Sequence, residues 1–259
     1  MEDKDQALDV WGEFACFTRP ELKVERFSYP VPTPSAVRGI YDAIYCNRHE
    51  FRWQVTKVEI LNPIRFVALR RNEVREKVNA DDVEKKWMAG EPPTPIFADL
   101  TEQTLGTDRK GRVQRQTMAL SDVRYRLHAV IRPWRDFEGR LNGYENEFIR
   151  RARKGKCIYQ PYFGCREFPA YFELVDVGAA PAECIDDSFD IGWMLYDVFD
   201  LSKPHESLDT SRGGNPDGTL NISLFHASGE KHGVRRGVLK VPLYESDLVH
   251  KVPKEGNDA

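Results

Sequence analysis

Residues 28–45 read SYPVPTPSAVRGIYDAIY, and this stretch decides how the chain begins to fold. Its three prolines fix the backbone and hold each preceding residue in an extended conformation. Thr33 is therefore expected to cap a helix that begins at Pro34, where a missing N–H carries no cost. Apolar residues then recur on one side of the predicted helix as a stripe for the core: Ala36, Val37, Ile40, Ala43 and Ile44.

Three polar or aromatic residues, Arg38, Tyr41 and Tyr45, fall on a different face of that helix. A cation beside two phenols at the edge of a core suits polar chemistry. The same spacing also fits tyrosines that only border the core, so both interpretations stay open at this point.

The middle of the chain is basic although the whole is not. Residues 109–156 contain 14 Lys and Arg against five Asp and Glu, a local charge of +9 within a chain of net charge −3. A basic segment in an acidic protein favours a localised site for a polyanion. Arginines scattered over several solvated faces would give the same count, and this alternative also stays open.

Composition, apolar run lengths and cysteine spacing limit the class of protein to which this chain can belong. Apolar residues make up 41% of the 259 positions, enough for a real core. No apolar run approaches the roughly 20 residues that span a bilayer. The acidic start, MEDKDQ, is unlike a secretory signal, and the five cysteines form no CxxC pair. We therefore expect reduced thiols and a cytoplasmic protein without a membrane partner, a metal or another cofactor.

Alternating apolar residues predict strands at residues 7–17, 49–61, 117–131 and 170–175, with helices at 34–45 and 141–153. The charged segment 70–95 is expected to hold a short exposed helix and a loop, within an insertion or hairpin at 70–112. The order β-α-β-β-α-β predicts an α+β fold, the ferredoxin-like or RRM-like sandwich.

The carboxy-terminal part is expected to form a small appended antiparallel β-sheet. Residues 193–199 and 238–244 are its two predicted strands, joined by a long loop. We therefore divide the chain into an RRM-like domain, 1–177, and a small β domain, 178–259.

Basic residues crowd the end of the second predicted helix and the strand before it. The dipole of a helix favours cations in its last turn, which accounts for part of this cluster. The expected phosphate contacts of the cluster and the strand are Arg115, Arg124, Arg150, Arg151, Arg153 and Lys154.

Three blocks of sequence follow one another in a recognisable order. They are GEFACFTRPELKVERFSYPVPTPSAVRGI (12–40), TMALSDVRYRLHAVI (117–131) and RRARKGKCIYQPYFGCREF (150–168). Together they resemble the CRISPR-associated Cas5 family, subtype d, of type I-C systems, which belongs to the RAMP superfamily. The likeness runs from about residue 10 to residue 174, with weaker support beyond.

The resemblance implies an RRM-like fold with a small carboxy-terminal sheet. It also implies an endoribonuclease that cuts precursor CRISPR RNA at the base of each repeat hairpin without a metal. Members of the family stay bound to the 5′ handle within a Cascade complex, beside its backbone, large and small subunits.

Metal-free RNA cleavage sets a definite requirement. A 2′-OH loses its proton and attacks the adjacent phosphorus in line, and the departing 5′-oxygen gains a proton, which leaves a 2′,3′-cyclic phosphate. In the family the catalytic tyrosine ends the first helix, and Tyr45 occupies that place. Many members also carry a Lys-His pair before the second helix, where this chain reads LNGYENEF. The pair is replaced by Gly143-Tyr144 or by Tyr144-Glu145, so Tyr144 is the substitute catalytic candidate, with a place in the core as its alternative.

Two functions remain open from the sequence. In the first, Tyr45 and Tyr144 catalyse cleavage, while Arg38, Tyr41 and the six basic residues named above bind the RNA. In the second, the missing Lys-His pair leaves a catalytically weak or inactive subunit that only binds the handle. Non-specific affinity for duplex DNA through the same basic surface is a subsidiary expectation, because phosphate contacts carry little sequence information.

Overall fold

The computed structural model describes residues 4–74, 78–93, 112–176, 178–202, 204 and 222–251. The chain divides into two compact units. Met1–Val67 and Met118–Ala259 make up the first unit, and Ala68–Thr117 make up the second.

The described residues form many strands and few helices. The strands are β1 (Gln6–Ala15), β2 (Arg26–Phe27), β3 (Phe51–Ile60), β4 (Phe66–Val74), β5 (Arg112–Pro133), β6 (Tyr171–Leu174), β7 (Gly192–Asp197), β8 (Ser223–Ala227), β9 (Val234–Arg235), β10 (Val238–Lys240) and β11 (Val249–Lys251). The helices are α1 (Pro34–Ile44), α2 (Ala80–Met88), α3 (Leu141–Arg153) and the short α4 (Gly229–His232), with a 3₁₀ helix at Arg135–Arg140.

The main sheet of the first unit has the strand order β6-β1-β5-β3-β10-β9, and neighbouring strands are antiparallel. In this register Val10 lies opposite Tyr125 on one side and Phe172 on the other. Alternate residues of a strand share a face, so Leu8 and Val10 are fully buried together. The predicted strands at 7–17, 49–61, 117–131 and 170–175 are confirmed as β1, β3, β5 and β6.

Helix α1 begins as its sequence predicts. The Thr33 hydroxyl oxygen accepts the N–H of Ala36 at 3.2 Å, and Pro34 occupies the first turn. The helix ends at Ile44, and the N–H of Tyr45 still donates to the Tyr41 carbonyl at 2.9 Å. A proline-fixed start and a defined last hydrogen bond therefore set the position of Tyr45.

The core between the two long helices and the sheet is aromatic. The Tyr41 ring centroid lies 4.8 Å from that of Trp53 and 5.5 Å from that of Phe148, and Trp53 and Phe148 are 4.7 Å apart. All three side chains are buried. Such aromatic pairs contribute about 0.5–1.5 kcal/mol beyond the area they bury, so they join α1, α3 and β3 firmly.

The second unit contains most of β4, the helix α2 and the first residues of β5. Asn79 caps α2 with its side-chain oxygen, which accepts the N–H groups of Asp81 and Asp82 at 3.1 and 3.4 Å. No residue of α2 is buried, so the prediction of a short exposed helix in this segment is confirmed.

The small carboxy-terminal sheet exists but is built from other strands than we expected. Its order is β11-β8-β7, all antiparallel. The pairing of 193–199 with 238–244 was wrong, because β10 pairs with β3 of the main sheet. Arg236 and Gly237, with φ of 48° and 71°, form the tight turn that joins β9 to β10. The resulting hairpin covers the edge of β3 and buries Leu239 there.

Gly164 is a position that only glycine fits. Its φ is 78°, and a Cβ built on it would lie 2.1 Å from the Cys16 carbonyl oxygen. We expect Gly164→Ala to lower the free energy of unfolding by roughly 2–4 kcal/mol, measured by urea denaturation. The matched control is Gly139→Ala, where a Cβ meets nothing within 4 Å. Equal stability of the two variants would contradict this account of the 16–164 contact.

Candidate nucleic-acid interface and active site

Tyr45 is held by its backbone more than by its hydroxyl. The indole N–H of Trp53 donates to the Tyr45 carbonyl at 2.9 Å. The Tyr45 ring packs on Phe51, with 5.2 Å between centroids, and the side chain is half-buried. Within the described part of the chain, no hydrogen bond engages its hydroxyl. The phenol therefore has a fixed ring and a hydroxyl that is available to a ligand.

Charged groups of α3 surround that phenol. The guanidinium carbon of Arg151 lies 5.2 Å from the centroid of the Tyr45 ring. Glu147 accepts hydrogen bonds from both Arg150 and Arg151 at 2.7 Å, and the two arginines lower the pKa of Glu147 to about 2. The pair of cations on this turn is thus partly neutralised by a carboxylate that stays charged.

The pKa of Tyr45 is raised above its ordinary value. Burial is the largest cause, and the negative charge of Glu147 adds to it. The cation of Arg151 acts in the opposite direction, and Glu50 raises the pKa further. Tyr45 is therefore protonated at neutral pH and is a hydrogen-bond donor, since a phenol ionises only near its pKa.

Tyr144 also packs on Phe51, with 5.0 Å between ring centroids. Its hydroxyl donates to a Glu50 carboxylate oxygen at 2.6 Å, and Arg140 donates to the other oxygen at 3.2 Å. Burial and the Glu50 carboxylate raise the pKa of Tyr144 to about 12. The structure thus brings Tyr45 and Tyr144 around one ring, but Tyr144 is mostly buried and its proton is already engaged.

Arg38 is buried in ion pairs with two carboxylates. Its guanidinium donates to both carboxylate oxygens of Asp197, at 2.7 and 3.1 Å, and to Asp42 at 2.7 Å. Burial alone would lower the pKa of Arg38, but the two carboxylates together raise it. The expectation that Arg38 contacts RNA is corrected here, because its donors are taken by the protein.

Tyr41 is likewise a core residue, contrary to our expectation that it binds RNA. Its hydroxyl lies 2.8 Å from the carbonyl oxygens of Gln6 and Leu127, and its side chain is fully buried. Burial is the main cause that raises the pKa of Tyr41 far above its ordinary value. The phenol thus lies within hydrogen-bonding distance of two strand carbonyls beneath the helix, and its single proton is shared between them.

The other predicted phosphate contacts lie at the surface, most of them already paired. Arg153 donates to Asp176 at 2.7 Å, and Lys154 is exposed at the end of α3 with no salt bridge among the described residues. In the second unit, Arg115 donates to Glu73 at 2.9 Å. The arginines of α3 and β5 are therefore only partly free to bind an anion.

Arg124 stands on the open face of the main sheet. Its guanidinium carbon lies 5.9 Å from the Trp11 ring, and Trp11 stacks on Tyr171 with centroids 6.4 Å apart. These three residues lie directly opposite one another on β5, β1 and β6. A cation and two exposed aromatic rings in one row form a surface of the kind on which nucleic-acid bases stack.

Sequence comparison places the chain in a family. The family described as CRISPR-associated protein (Cas_Cas5) matches residues 7–236. The chain belongs to the Cas5d family. It is 41% identical over 250 residues to the CRISPR pre-crRNA endoribonuclease Cas5d of Mannheimia succiniciproducens, with 94% of this chain and 97% of that protein covered. The corresponding protein of Thermus thermophilus is 38% identical, with 96% of both chains covered.

Two solved structures share the fold of this Cas5d-family chain. One is a crystal structure of a CRISPR-associated protein, with a TM-score of 0.54 and 20% identity over 96% of this chain and 97% of that one. The other is a protein from Streptococcus mutans, with a TM-score of 0.57 and the same identity and coverage. At this identity the likeness concerns the fold, a mixture of antiparallel sheets and few helices.

The structure also shows which groups at the candidate site our sequence analysis missed. Glu50 and Asp197 hold Tyr144 and Arg38, yet neither lies in a motif. The Arg38–Asp42 pair has the i,i+4 spacing of helix salt bridges and was detectable. No sequence pattern links Asp197 to Arg38, because the two residues are 159 positions apart. Within the described ranges no cluster of three or more metal-binding side chains occurs, and no helix has the length and apolarity needed to cross a membrane.

The Arg38 network predicts a stability effect in this Cas5d-family chain. We expect Arg38→Leu to cost about 3–5 kcal/mol in urea denaturation, because it leaves the buried Asp197 carboxylate without its cation and leaves Asp42 with only the 3.3 Å contact to Arg48. Adding Asp197→Asn should restore part of the loss, since one uncompensated charge disappears while an acceptor remains. The control is Arg65→Leu, which breaks an exposed pair of 3.9 Å worth about 0–1 kcal/mol. Similar losses for Arg38→Leu and Arg65→Leu would contradict the network's role.

Proposed function

We propose that this chain is an endoribonuclease that cleaves precursor CRISPR RNA at the base of the repeat hairpin, without a metal. The relatives named as pre-crRNA endoribonucleases over almost the whole length support the substrate class. The observation that carries the proposal is the protonated Tyr45 phenol, whose ring is fixed by Phe51 and Arg151.

The proposed chemistry is attack of a ribose 2′-OH on the adjacent phosphorus. The new P–O2′ bond forms as the P–O5′ bond breaks, which gives a 2′,3′-cyclic phosphate and a 5′-hydroxyl. Tyr45 gives its proton to the departing 5′-oxygen, and the proton of the 2′-OH leaves to solvent. The raised pKa of Tyr45 supports the role of acid over that of base. Arg151 stabilises the charge that develops on the phosphate.

Tyr144 is proposed as a positioning residue for that step. It takes the place of one member of the Lys-His pair, but its hydroxyl donates to Glu50 and is mostly buried. Its ring and that of Tyr45 both pack on Phe51. Tyr144 therefore fixes the support of Tyr45 in our proposal, and the site contains no histidine acid or base at this place.

We propose that the RNA backbone is held by exposed cations of α3 and β5. The set comprises Arg115, Arg124, Arg150, Arg151, Arg153 and Lys154. Several of these pair with carboxylates in the free protein, and phosphates bound at the same donors replace those partners. Arg38 and Tyr41 are left out of this set because both are buried.

The cellular setting follows from the family. We propose that the protein works in the cytoplasm, stays bound to the 5′ handle, and assembles with the other subunits of a type I-C Cascade. The order β6-β1-β5-β3 with crossovers through α1 and α3 supports the ferredoxin-like or RRM-like arrangement. We keep the division into 1–177 and 178–259 as a proposal, in which β9 and β10 of the second part extend the sheet of the first.

A second candidate function is a handle-binding subunit with little or no catalysis. One observation favours it: both candidate tyrosines have raised pKa values, and Tyr144 is tied to Glu50. Duplex DNA remains a further proposed ligand of the same cations, in which case binding weakens steeply with salt.

The decisive substitution is Tyr45→Phe. We expect it to slow cleavage of the organism's own repeat RNA in EDTA by roughly 10²–10⁴-fold, the usual contribution of a general acid, while RNA affinity stays within a few-fold because only one hydroxyl is lost. Gel analysis of RNA products and a filter-binding titration measure the two effects. Full cleavage by Tyr45→Phe would remove Tyr45 from the mechanism. Intact RNA after long exposure to the wild-type protein would favour the handle-binding subunit.

The pKa of Tyr45 predicts a pH dependence. Since the phenol stays protonated, the ratio of wild-type to Tyr45→Phe cleavage rates should be constant from about pH 6 to pH 9. A phenolate base would instead make that ratio rise about tenfold for each pH unit below its pKa. Single-turnover rates in EDTA, followed long enough to resolve the residual activity of Tyr45→Phe, measure the ratio.

A further inference from the structure

A cleft of about 1040 Å³ opens beside α1, lined by residues that the proposed cleavage step does not use. We name it the α1 cleft and define it by Arg38, Asp42, Arg48, Tyr159, Tyr162 and Arg166. Residues 46–49, which follow Tyr45 directly, also line it. Its size is at the upper end of ordinary small-molecule sites, roughly 300–1,000 Å³.

The wall of the α1 cleft opposite the helix is fixed to the rest of the protein at two points. The N–H of Ile158 donates to the Ala43 carbonyl at 2.6 Å, and the N–H of Cys16 donates to the Phe163 carbonyl at 3.0 Å. The close approach of Gly164 to Cys16 adds a third restraint. A wall held in this way needs little ordering when a ligand enters, which favours binding.

The charge of the cleft is positive on balance. Three arginines line or underlie it against two aspartates, and Arg38 is already committed to both of these. Arg48 makes one 3.3 Å contact to Asp42, while its Nε is buried with no hydrogen-bond partner in the described structure. Arg166 is exposed and makes no salt bridge among the described residues. Arg48 and Arg166 therefore line the cleft with cationic groups that the described protein does not fully pair, although a buried donor is normally paired.

Aromatic surface lies next to these donors. The rings of Tyr159 and Tyr162 are 6.4 Å apart and inclined by 35°, and Tyr159 is 44% exposed. Exposed aromatic faces beside arginines are the elements with which proteins hold single-stranded nucleic acid, through base stacking and phosphate contacts. The combination of a flat apolar face and free guanidinium donors selects a ligand that carries both a ring and a phosphate.

We propose that the α1 cleft binds one unpaired nucleotide of an RNA strand, with its base on Tyr159 and Tyr162 and its phosphate between Arg48 and Arg166. This inference deepens the proposed function, because the cleft starts at the residue after Tyr45 and receives the strand that leaves the cut site. It assigns roles to Tyr159, Tyr162, Arg48 and Arg166 that the cleavage chemistry does not require.

The test uses a single-stranded oligoadenylate RNA with a central 2-aminopurine, which has no hairpin to cleave. Stacking on tyrosine quenches 2-aminopurine, so titration of the full-length protein gives both affinity and stacking. We expect Tyr159→Ala and Arg166→Ala each to weaken binding roughly 5- to 50-fold, since base stacking and phosphate contacts are lost. The controls are Trp193→Ala, an aromatic side chain of 51% exposure on β7, and Arg65→Ala. Both should stay within twofold of wild type.

The outcomes separate this inference from the proposed nuclease activity. Hairpin cleavage in EDTA together with unchanged oligoadenylate binding by Tyr159→Ala and Arg166→Ala overturns the cleft and leaves the nuclease standing. Absent cleavage together with the expected losses supports the cleft and overturns the nuclease. Competition by AMP as strong as that by the unlabelled oligoadenylate would assign the cleft to free nucleotides and overturn its role in RNA binding.

Discussion

The buried guanidinium of Arg38 is the interaction on which the first unit depends. It joins α1 to the end of β7 through two hydrogen bonds to Asp197, and it holds Asp42 one turn further along the helix. Removal of three charges from water is costly, and it is offset only because each nitrogen of the guanidinium has a carboxylate partner within 3.1 Å. This network fixes the helix from the side opposite its apolar stripe, so α1 is restrained on two faces. The position of everything that follows Ile44 rests on that restraint.

These restraints on α1 set the position of Tyr45, which follows the last residue of the helix. Its backbone is held by the last hydrogen bond of the helix and by the Trp53 indole, and its ring by Phe51. The protein therefore positions the phenol without using the hydroxyl. In Tyr144, by contrast, the hydroxyl is already engaged, since it donates a hydrogen bond to Glu50. Two tyrosines around one phenylalanine thus have different capacities, and only Tyr45 has a free donor at the surface that the structure describes.

Local rules explain which parts of the fold the sequence predicted. The start of α1 follows from Thr33 and Pro34, and the strands β1, β3 and β5 follow from alternation of apolar residues, because both depend on neighbours in the chain. β10 pairs with the edge of β3, which is distant in the sequence. Alternation of apolar residues within β10 does not indicate which strand is its partner. The prediction that Tyr41 binds RNA was wrong for a similar reason. Its helical position suggested a rim, but two strand carbonyls beneath the helix draw its hydroxyl inward, and no spacing within 28–45 encodes them.

The charges around Tyr45 bear on how RNA binding and chemistry are linked in the proposed mechanism. In the free protein, Glu147 occupies the donors of Arg150 and Arg151 and raises the pKa of the phenol. A phosphate that takes those donors brings negative charge of its own, so the phenol remains protonated when substrate is bound. A proton donor keeps its proton through this exchange, whereas a phenolate base is further disfavoured by it. In the proposed mechanism, the electrostatics that attracts a phosphate to α3 therefore also favours the departing 5′-oxygen as the target of Tyr45.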